Sequence, residues 1–184
     1  MSSHHPERIH GAAELRVVED LGAMATAVRA LMHAAFGADF TDDDWEHALG
    51  GVHVVLLERG EIVAHAALVQ RRLWAGERAL EVGYVEAVAV EPARQGAGLG
   101  TTVMRALDPA LAHAELGALS TGEHAFYERL GWERWQGTTW VRDPGGDRRT
   151  ADEDAGIMVR RTPRTGELDL AAALVCEPRP GDDW

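Results

Sequence analysis

Between positions 94 and 100 the chain reads Arg94-Gln95-Gly96-Ala97-Gly98-Leu99-Gly100, after an apolar run and before residues with helical spacing. A glycine-rich turn at such a junction lets successive backbone N–H groups converge on an anion at a helix N-terminus, so the chemistry it suggests is phosphate binding. The Gly-Lys-Ser/Thr of a P-loop is missing, which argues against nucleoside triphosphate hydrolysis. The dinucleotide fingerprint fits poorly as well, because the glycines fall at 96, 98 and 100 with none three positions later. Upstream, Glu86 interrupts Tyr84-Val85-Glu86-Ala87-Val88-Ala89-Val90, where a carboxylate is costly unless it has a partner or faces a cleft. Ser120 has no evident base nearby and Cys176 lies in an apolar run, so nucleophilic catalysis has no support. The nine histidines form no His-Glu-x-x-His, and there is no cysteine cluster, so no metal is expected. His47, His53 and His65 fall near the expected cleft by sequence order and read as structural rather than catalytic.

The elements that must position these residues belong to a chain of 184 residues and 46% hydrophobic composition, enough for one domain with a real core. A single cysteine cannot form an internal bridge, no apolar stretch reaches membrane-spanning length, and residues 1–10 lack the apolar region of a signal peptide. The expectation is a cytoplasmic protein free of membrane. Thirty acidic against eighteen basic residues give −12, and every cation is arginine because lysine is absent. That sign disfavours nucleic acid and suits a cationic partner, although acidity also serves solubility alone.

Along the chain, residues 14–18 read as a strand and 21–36 as a helix with Leu21, Met24, Ala25, Val28, Leu31, Met32 and Ala35 at helical spacing. Thr41 can cap a short helix with Asp44 three positions on. Residues 52–57, 62–69, 71–74 and 78–90 predict an antiparallel meander with turns at Arg59-Gly60 and at 75–77. A helix follows the glycine loop and is split or kinked at Pro109. A short strand comes next at 118–120, then a helix over 123–130 ending at Gly131, and a strand over 132–140. Residues 143–156 predict a surface loop, 157–159 and 170–176 close the sheet, and 177–184 form a tail. Trp74, Trp132, Trp135 and Trp140 are expected in the core or on a dimer surface. Residues 1–12 are expected to be disordered.

Gln95, Gly98 and Gly100 match Q/R-x-x-G-x-G/A, which resembles the acetyl-CoA pyrophosphate loop of the GNAT superfamily of acyl-CoA N-acyltransferases. Tyr127 followed by Gly131-Trp132 resembles that superfamily's Tyr-x-x-x-Gly-apolar segment. A narrower likeness runs nearly end to end. Phe36-Gly37-Ala38-Asp39-Phe40-Thr41, Asp44-Trp45-Glu46-His47, Ala64-His65-Ala66, Gln70-Arg71-Arg72, Gly83-Tyr84-Val85-Glu86, Leu116-Gly117-Ala118-Leu119-Ser120 and Gly181-Asp182-Asp183-Trp184 look like the aminoglycoside 2'-N-acetyltransferases. The resemblance implies a single GNAT domain of the α+β class. Its mixed, mainly antiparallel twisted sheet would be flanked by helices in three α/β/α layers, with the tail reaching the substrate site. It also implies acetyl-CoA as donor, the 2'-amine of a polycationic antibiotic as acceptor, and a homodimer.

Carried over residue by residue, the likeness assigns pantetheine to the backbone of Val88, Ala89 and Val90, with a backbone N–H near Val88 polarising the thioester. It assigns the pyrophosphate to Gln95, Gly96, Ala97, Gly98, Leu99 and Gly100. Glu86 becomes the group that draws off the amine proton through water, with the α-carboxylate of Trp184 able to share the task; Glu86 could equally only bind the ammonium. Tyr127 becomes the acid toward the leaving sulfur, since a phenol is matched to a thiolate, its alternative being a core aromatic. Asp39, Glu86, Glu153, Asp154 and Asp182 would surround the sugar, with Ser120 and the Ala87 backbone as hydrogen-bond partners. A solvated turn is an equal reading for Glu153 and Asp154. Two other functions fit the residues: a GNAT enzyme for a different amine, such as a cell-wall amino sugar or polyamine, and a noncatalytic acyl-CoA-binding module.

Overall fold

The computed structural model describes residues 13–184, so the expected disorder of 1–12 lies outside the described residues. Strand β1 (Ala13–Val18) is followed by a 3-10 turn and helix α1 (Ala25–Phe36), which buries Val28, Leu31 and Met32. Helix α2 (Asp42–Ala48) opens with the expected reciprocal cap: the Asp44 N–H donates to Thr41 Oγ1 at 3.2 Å and the Thr41 N–H to Asp44 Oδ2 at 2.7 Å. Strands β2 (Val52–Glu58), β3 (Glu61–Ala75) and β4 (Arg78–Val90) then form the meander. The two runs expected at 62–69 and 71–74 are one strand. Gln70, Arg71 and Arg72 break its apolar pattern, but their backbone stays paired with Gly83, Val82 and Glu81 of β4.

After the glycine loop come α3 (Leu99–Ala106) and α4 (Asp108–Leu111), the expected split falling at Leu107 with Pro109 in the first turn of α4, then β5 (Leu116–Ser120) and α5 (His124–Glu128). The strand expected over 132–140 is broken into β6 (Glu133–Arg134) and β7 (Thr139–Asp143). At the break, the Gln136 and Gly137 N–H groups both donate to the Leu170 carbonyl, and a Cβ on Gly137 would lie 1.8 Å from the Ala172 oxygen. The loop expected over 143–156 contains β8 (Gly146–Arg149), paired with β7. Its Asp147, Arg148 and Arg149 lack apolar alternation; Arg142–Asp147 and Arg148–Asp143 ion pairs flank the hairpin instead. Strand β9 (Ile157–Arg161) is longer than expected, and β10 (Leu174–Cys176) covers only the end of 170–176.

The ten strands form one sheet in the order β6-β9-β5-β4-β3-β10-β7-β8, with β2 also on β3 and β1 on β2. Among the described strands only β4–β5 and β7–β10 pair in parallel. Helices α3, α4 and α5 cover one face, where Val103, Met104, Leu107, Leu111 and Tyr127 meet Val54, Leu56, Val85 and Leu119. The other face buries Leu31, Met32, Phe40 and Trp45 against Val55, Leu57 and Ala89. A third cluster around Val82, Tyr84, Leu116, Trp135 and Trp184 fastens the tail to the sheet. Trp132 and Trp135 are buried; Trp74 and Trp140 are half-buried beneath the Arg142 and Arg149 guanidiniums. Among the described residues no helix is long and apolar enough to cross a membrane.

Two departures from regularity shape the middle of the sheet. Strand β4 pairs with β5 only over Val82, Gly83 and Tyr84, so from Val85 onward its edge on that side has no strand neighbour. Across from β3, Ala87 and Val88 together oppose Ala66, a β-bulge. Leu116, fully buried at the β4–β5 junction, tests the core beside that opening: Leu116→Ala should cost about 2–5 kcal/mol in urea denaturation.

Candidate active site

The parting of β4 and β5 opens a cleft of about 940 Å³. Val88, Ala89 and Val90 form one wall, Leu119 and Ser120 of β5 another, and Phe126 and Tyr127 of α5 a third. At one end sit Gln95, Gly96, Gly98, Leu99, Gly100 and Thr101; at the other, Asp39, Glu86, Asp182 and Trp184. The bulge explains how one strand serves both ends. It shifts the side-chain alternation by one residue, so Val85, Val88 and Val90 pack toward α3 while Ala87 and Ala89 pack toward α1.

Gly98 is the N-cap of α3 and holds φ +81°, a left-handed conformation open to glycine at little cost. It has no side chain with which to cap the helix, so the first-turn N–H groups of α3 carry no side-chain acceptor. Those donors, at the positive end of the helix dipole, fit a diphosphate; the unpaired β4 edge beside them offers backbone N–H and C=O groups to an extended amide chain. Of Arg94–Gly100, only Arg94 and Ala97 do not line the cleft, and the Ala97 N–H donates to the Arg94 carbonyl.

The acetyltransferase (GNAT) domain model matches residues 23–135. An aminoglycoside 2'-N-acetyltransferase of Mycolicibacterium fortuitum is 47% identical over 161 residues, which make up 85% of this chain and 83% of that protein. The chain belongs to the GNAT acetyltransferase family. Among solved structures, the GNAT family N-acetyltransferase YhbS of Escherichia coli in complex with CoA superposes with a TM-score of 0.66 at 18% identity, covering 94% of this chain and 93% of that one. A GCN5-related N-acetyltransferase of Kribbella flavida gives 0.57 at 24% identity over 68% of this chain, which spans only 34% of that protein.

Within this GNAT fold, Glu86 is not a free carboxylate. Arg179 Nη1 donates to its Oε1 at 2.6 Å, and both side chains are largely buried. Arg179 is the site residue that the sequence reading missed. Its only signal there is an arginine between two prolines in an acidic tail. Several bonds fix the tail that carries Arg179: the Arg71 guanidinium donates to the Asp183 carbonyl, Arg148 to the Asp183 carboxylate, and His47 Nε2 to the Pro180 carbonyl, each at 2.8 Å. Trp184 is buried, its indole N–H donating to Thr150 Oγ1 at 3.0 Å, and its backbone N–H donates to Asp182 Oδ1 at 3.2 Å.

Tyr127 is buried against Phe126 and Trp132 in edge-on contacts, and burial raises its phenol above the ordinary value. Ser120 Oγ donates to Glu153 at 3.3 Å; burial, followed by the nearby Asp182 charge, raises the Glu153 carboxyl. Neither Glu153, which reaches the cleft only through Ser120, nor Asp154 lines it. The Asp154 carboxylate accepts from both Arg149 terminal nitrogens, from the Thr139 N–H and from Thr139 Oγ1, bracing the start of β7. The Ala87 carbonyl accepts from His65 Nδ1 at 2.8 Å. Cys176 is buried, and burial pushes its thiol up to about 11. Among the described residues no group of three or more His, Cys, Asp or Glu could hold a metal ion.

The Asp154 brace predicts a pH effect. The Arg149 hydrogen bonds lead in lowering this carboxyl from 3.8 to about 2, so its stabilisation is complete above the unfolded value and is lost as pH falls through the folded one. Thermal stability of the native chain should therefore drop between about pH 4 and pH 2, and Asp154→Asn should flatten that part of the curve in a pH-resolved melting series.

Proposed function

We infer that this chain transfers the acetyl group of acetyl-CoA to the 2'-amine of aminoglycosides. One observation carries the reading: a single cleft joins the uncapped α3 N-terminus and the open β4 edge to a wall of carboxylates, Asp39, Glu86 and Asp182. The named Mycolicibacterium relative supports the same substrate, and the net charge of −12 suits a polycation. A conversion of cationic amine to neutral amide removes one charge from the antibiotic.

Gln95, Gly96, Gly98, Leu99 and Gly100 hold the diphosphate, and Val88, Ala89 and Val90 hold the pantetheine amides. Acetyl-CoA supplies an activated thioester. The backbone N–H near Val88 stabilises negative charge on the acetyl oxygen. Glu86 receives the amine proton through water, and Tyr127 protonates the departing sulfur. A phenol raised by burial keeps its proton at neutral pH, as an acid must. The substrate ammonium competes with Arg179 for Glu86, while Asp39, Asp182 and the Ser120 hydroxyl, itself held by Glu153, surround the remaining sugar. Asp154 acts from behind, by bracing Thr139. We place the reaction in the cytoplasm and assign a homodimer, for which Leu15 and Val17 on the outer strand β1, 43% and 55% exposed, offer apolar surface.

Thiol release from acetyl-CoA should occur with a 2'-amino aminoglycoside such as tobramycin and be absent with a 2'-hydroxyl one such as amikacin. Equal release with both rejects the 2' assignment. Added salt should raise KM for the antibiotic, and a KM indifferent to salt removes the acidic wall from recognition. Tyr127→Phe should lower kcat by about 10²-fold or more while leaving acetyl-CoA affinity nearly intact; an unchanged kcat excludes Tyr127 as the acid.

A further inference from the structure

Behind the bulge, two histidines form a buried pair that none of the roles above employs. His65 is fully buried on β3 and His53 is 1% exposed on β2. His65 Nδ1 lies 2.8 Å from the Ala87 carbonyl oxygen, and its Nε2 lies 3.1 Å from His53 Nδ1. Ala87 itself holds φ +49°, one of two left-handed non-glycine residues among those described.

The directions of these bonds follow from chemistry. A carbonyl oxygen only accepts, so His65 Nδ1 carries the hydrogen. Its Nε2 then offers a lone pair, and His53 Nδ1–H donates to it. Burial lowers the His65 imidazole to about 4, which keeps the ring neutral and this tautomer in place at neutral pH.

A packing role would not ask for imidazoles. The same face presents Val55, Ala67 and Ala89 around them, and buried polar rings are unfavourable unless their bonds are satisfied. The chain of bonds ends on the carbonyl of a cleft-lining residue, Ala87, whose backbone is strained and which stands one position before Val88. We propose that His65 is a positioning residue for acetyl transfer: its Nδ1–H holds the Ala87 carbonyl, and with it the left-handed step of the bulge, so that the Val88 backbone keeps its orientation toward the reacting acetyl group. His53 fixes the His65 tautomer from behind. This role rests on the acetyl-transfer reading above.

Three substitutions test it by thiol release, with CoA binding followed by calorimetry and folding by thermal melting. His65→Leu removes the donor and should lower kcat by about 10²-fold, the scale of a small misplacement of a catalytic group, with CoA affinity retained. His65→Asn carries an amide N–H at the δ position and should restore most of kcat; His65→Gln places its amide one bond further out and should not. Adding Ala87→Gly to His65→Leu should recover part of the loss, because glycine accepts the left-handed step without help. Wild-type enzyme run alongside separates the two claims: no thiol release from it counts against acetyl transfer itself. With wild type active, a His65→Leu kcat near wild type overturns the proposal. If the Leu variant does not fold, the Asn and Gln pair decides: Asn well above Gln supports it, and equal kcat overturns it.

Discussion

The parting of β4 from β5 after Tyr84 and Ala118 leaves a row of backbone donors and acceptors without a strand partner inside an otherwise paired sheet. An unpaired edge is normally a liability, since its polar groups must find water or another chain. Here the edge is confined within a cleft, between the helix-covered walls, where a single extended molecule fits. The same parting points the α3 N-terminus and the end of β4 into one space, so a diphosphate and the atoms to be transferred lie along one line. The bulge at Ala87 and Val88 then sets which side chains accompany that line. Without it, the alternation along β4 would turn Glu86 or Val88 to the opposite face.

The acid end of the cleft is built differently, from a segment with little regular structure. Residues 177–184 contribute no strand or helix, yet Trp184 is buried and Arg179 bonds with Glu86. What fixes the segment is a set of guanidinium bonds and one aromatic anchor. Each exposed pair contributes little alone, roughly 0–1 kcal/mol, but Arg71 and Arg148 grip the carbonyl and the carboxylate of the same residue, Asp183, so together they leave the tail one path across the sheet.

Features with a local physical signature were legible in the sequence. The glycine loop, the Thr41–Asp44 cap, the split beside Pro109 and the position of Glu86 in an apolar strand all depend on residues close together in the chain. The features that escaped depend on distant residues or on charges in place of an apolar pattern. Gln70-Arg71-Arg72 looked like an interruption because β4 supplies the pairing that keeps β3 continuous. The β8 hairpin was hidden because charges, rather than alternating apolar residues, occupy it. Trp132 to Trp140 looked like one strand because the break is made by Leu170 and Ala172, more than thirty positions away. Asp154 matched a family position, but Arg149, five residues earlier in sequence, occupies it in the fold. The Arg179–Glu86 pair joins residues 93 positions apart, and no local pattern announces it.

The identity of that cation matters beyond electrostatics. On the proposed reading a primary amine held against Glu86 is the nucleophile, so a lysine in place of Arg179 would present a permanent internal acceptor. A guanidinium keeps its charge at any ordinary pH and has no free electron pair to attack a thioester. In a lysine-free sequence, the carboxylate we propose to meet the amine is paired with a guanidinium that acetyl transfer does not modify.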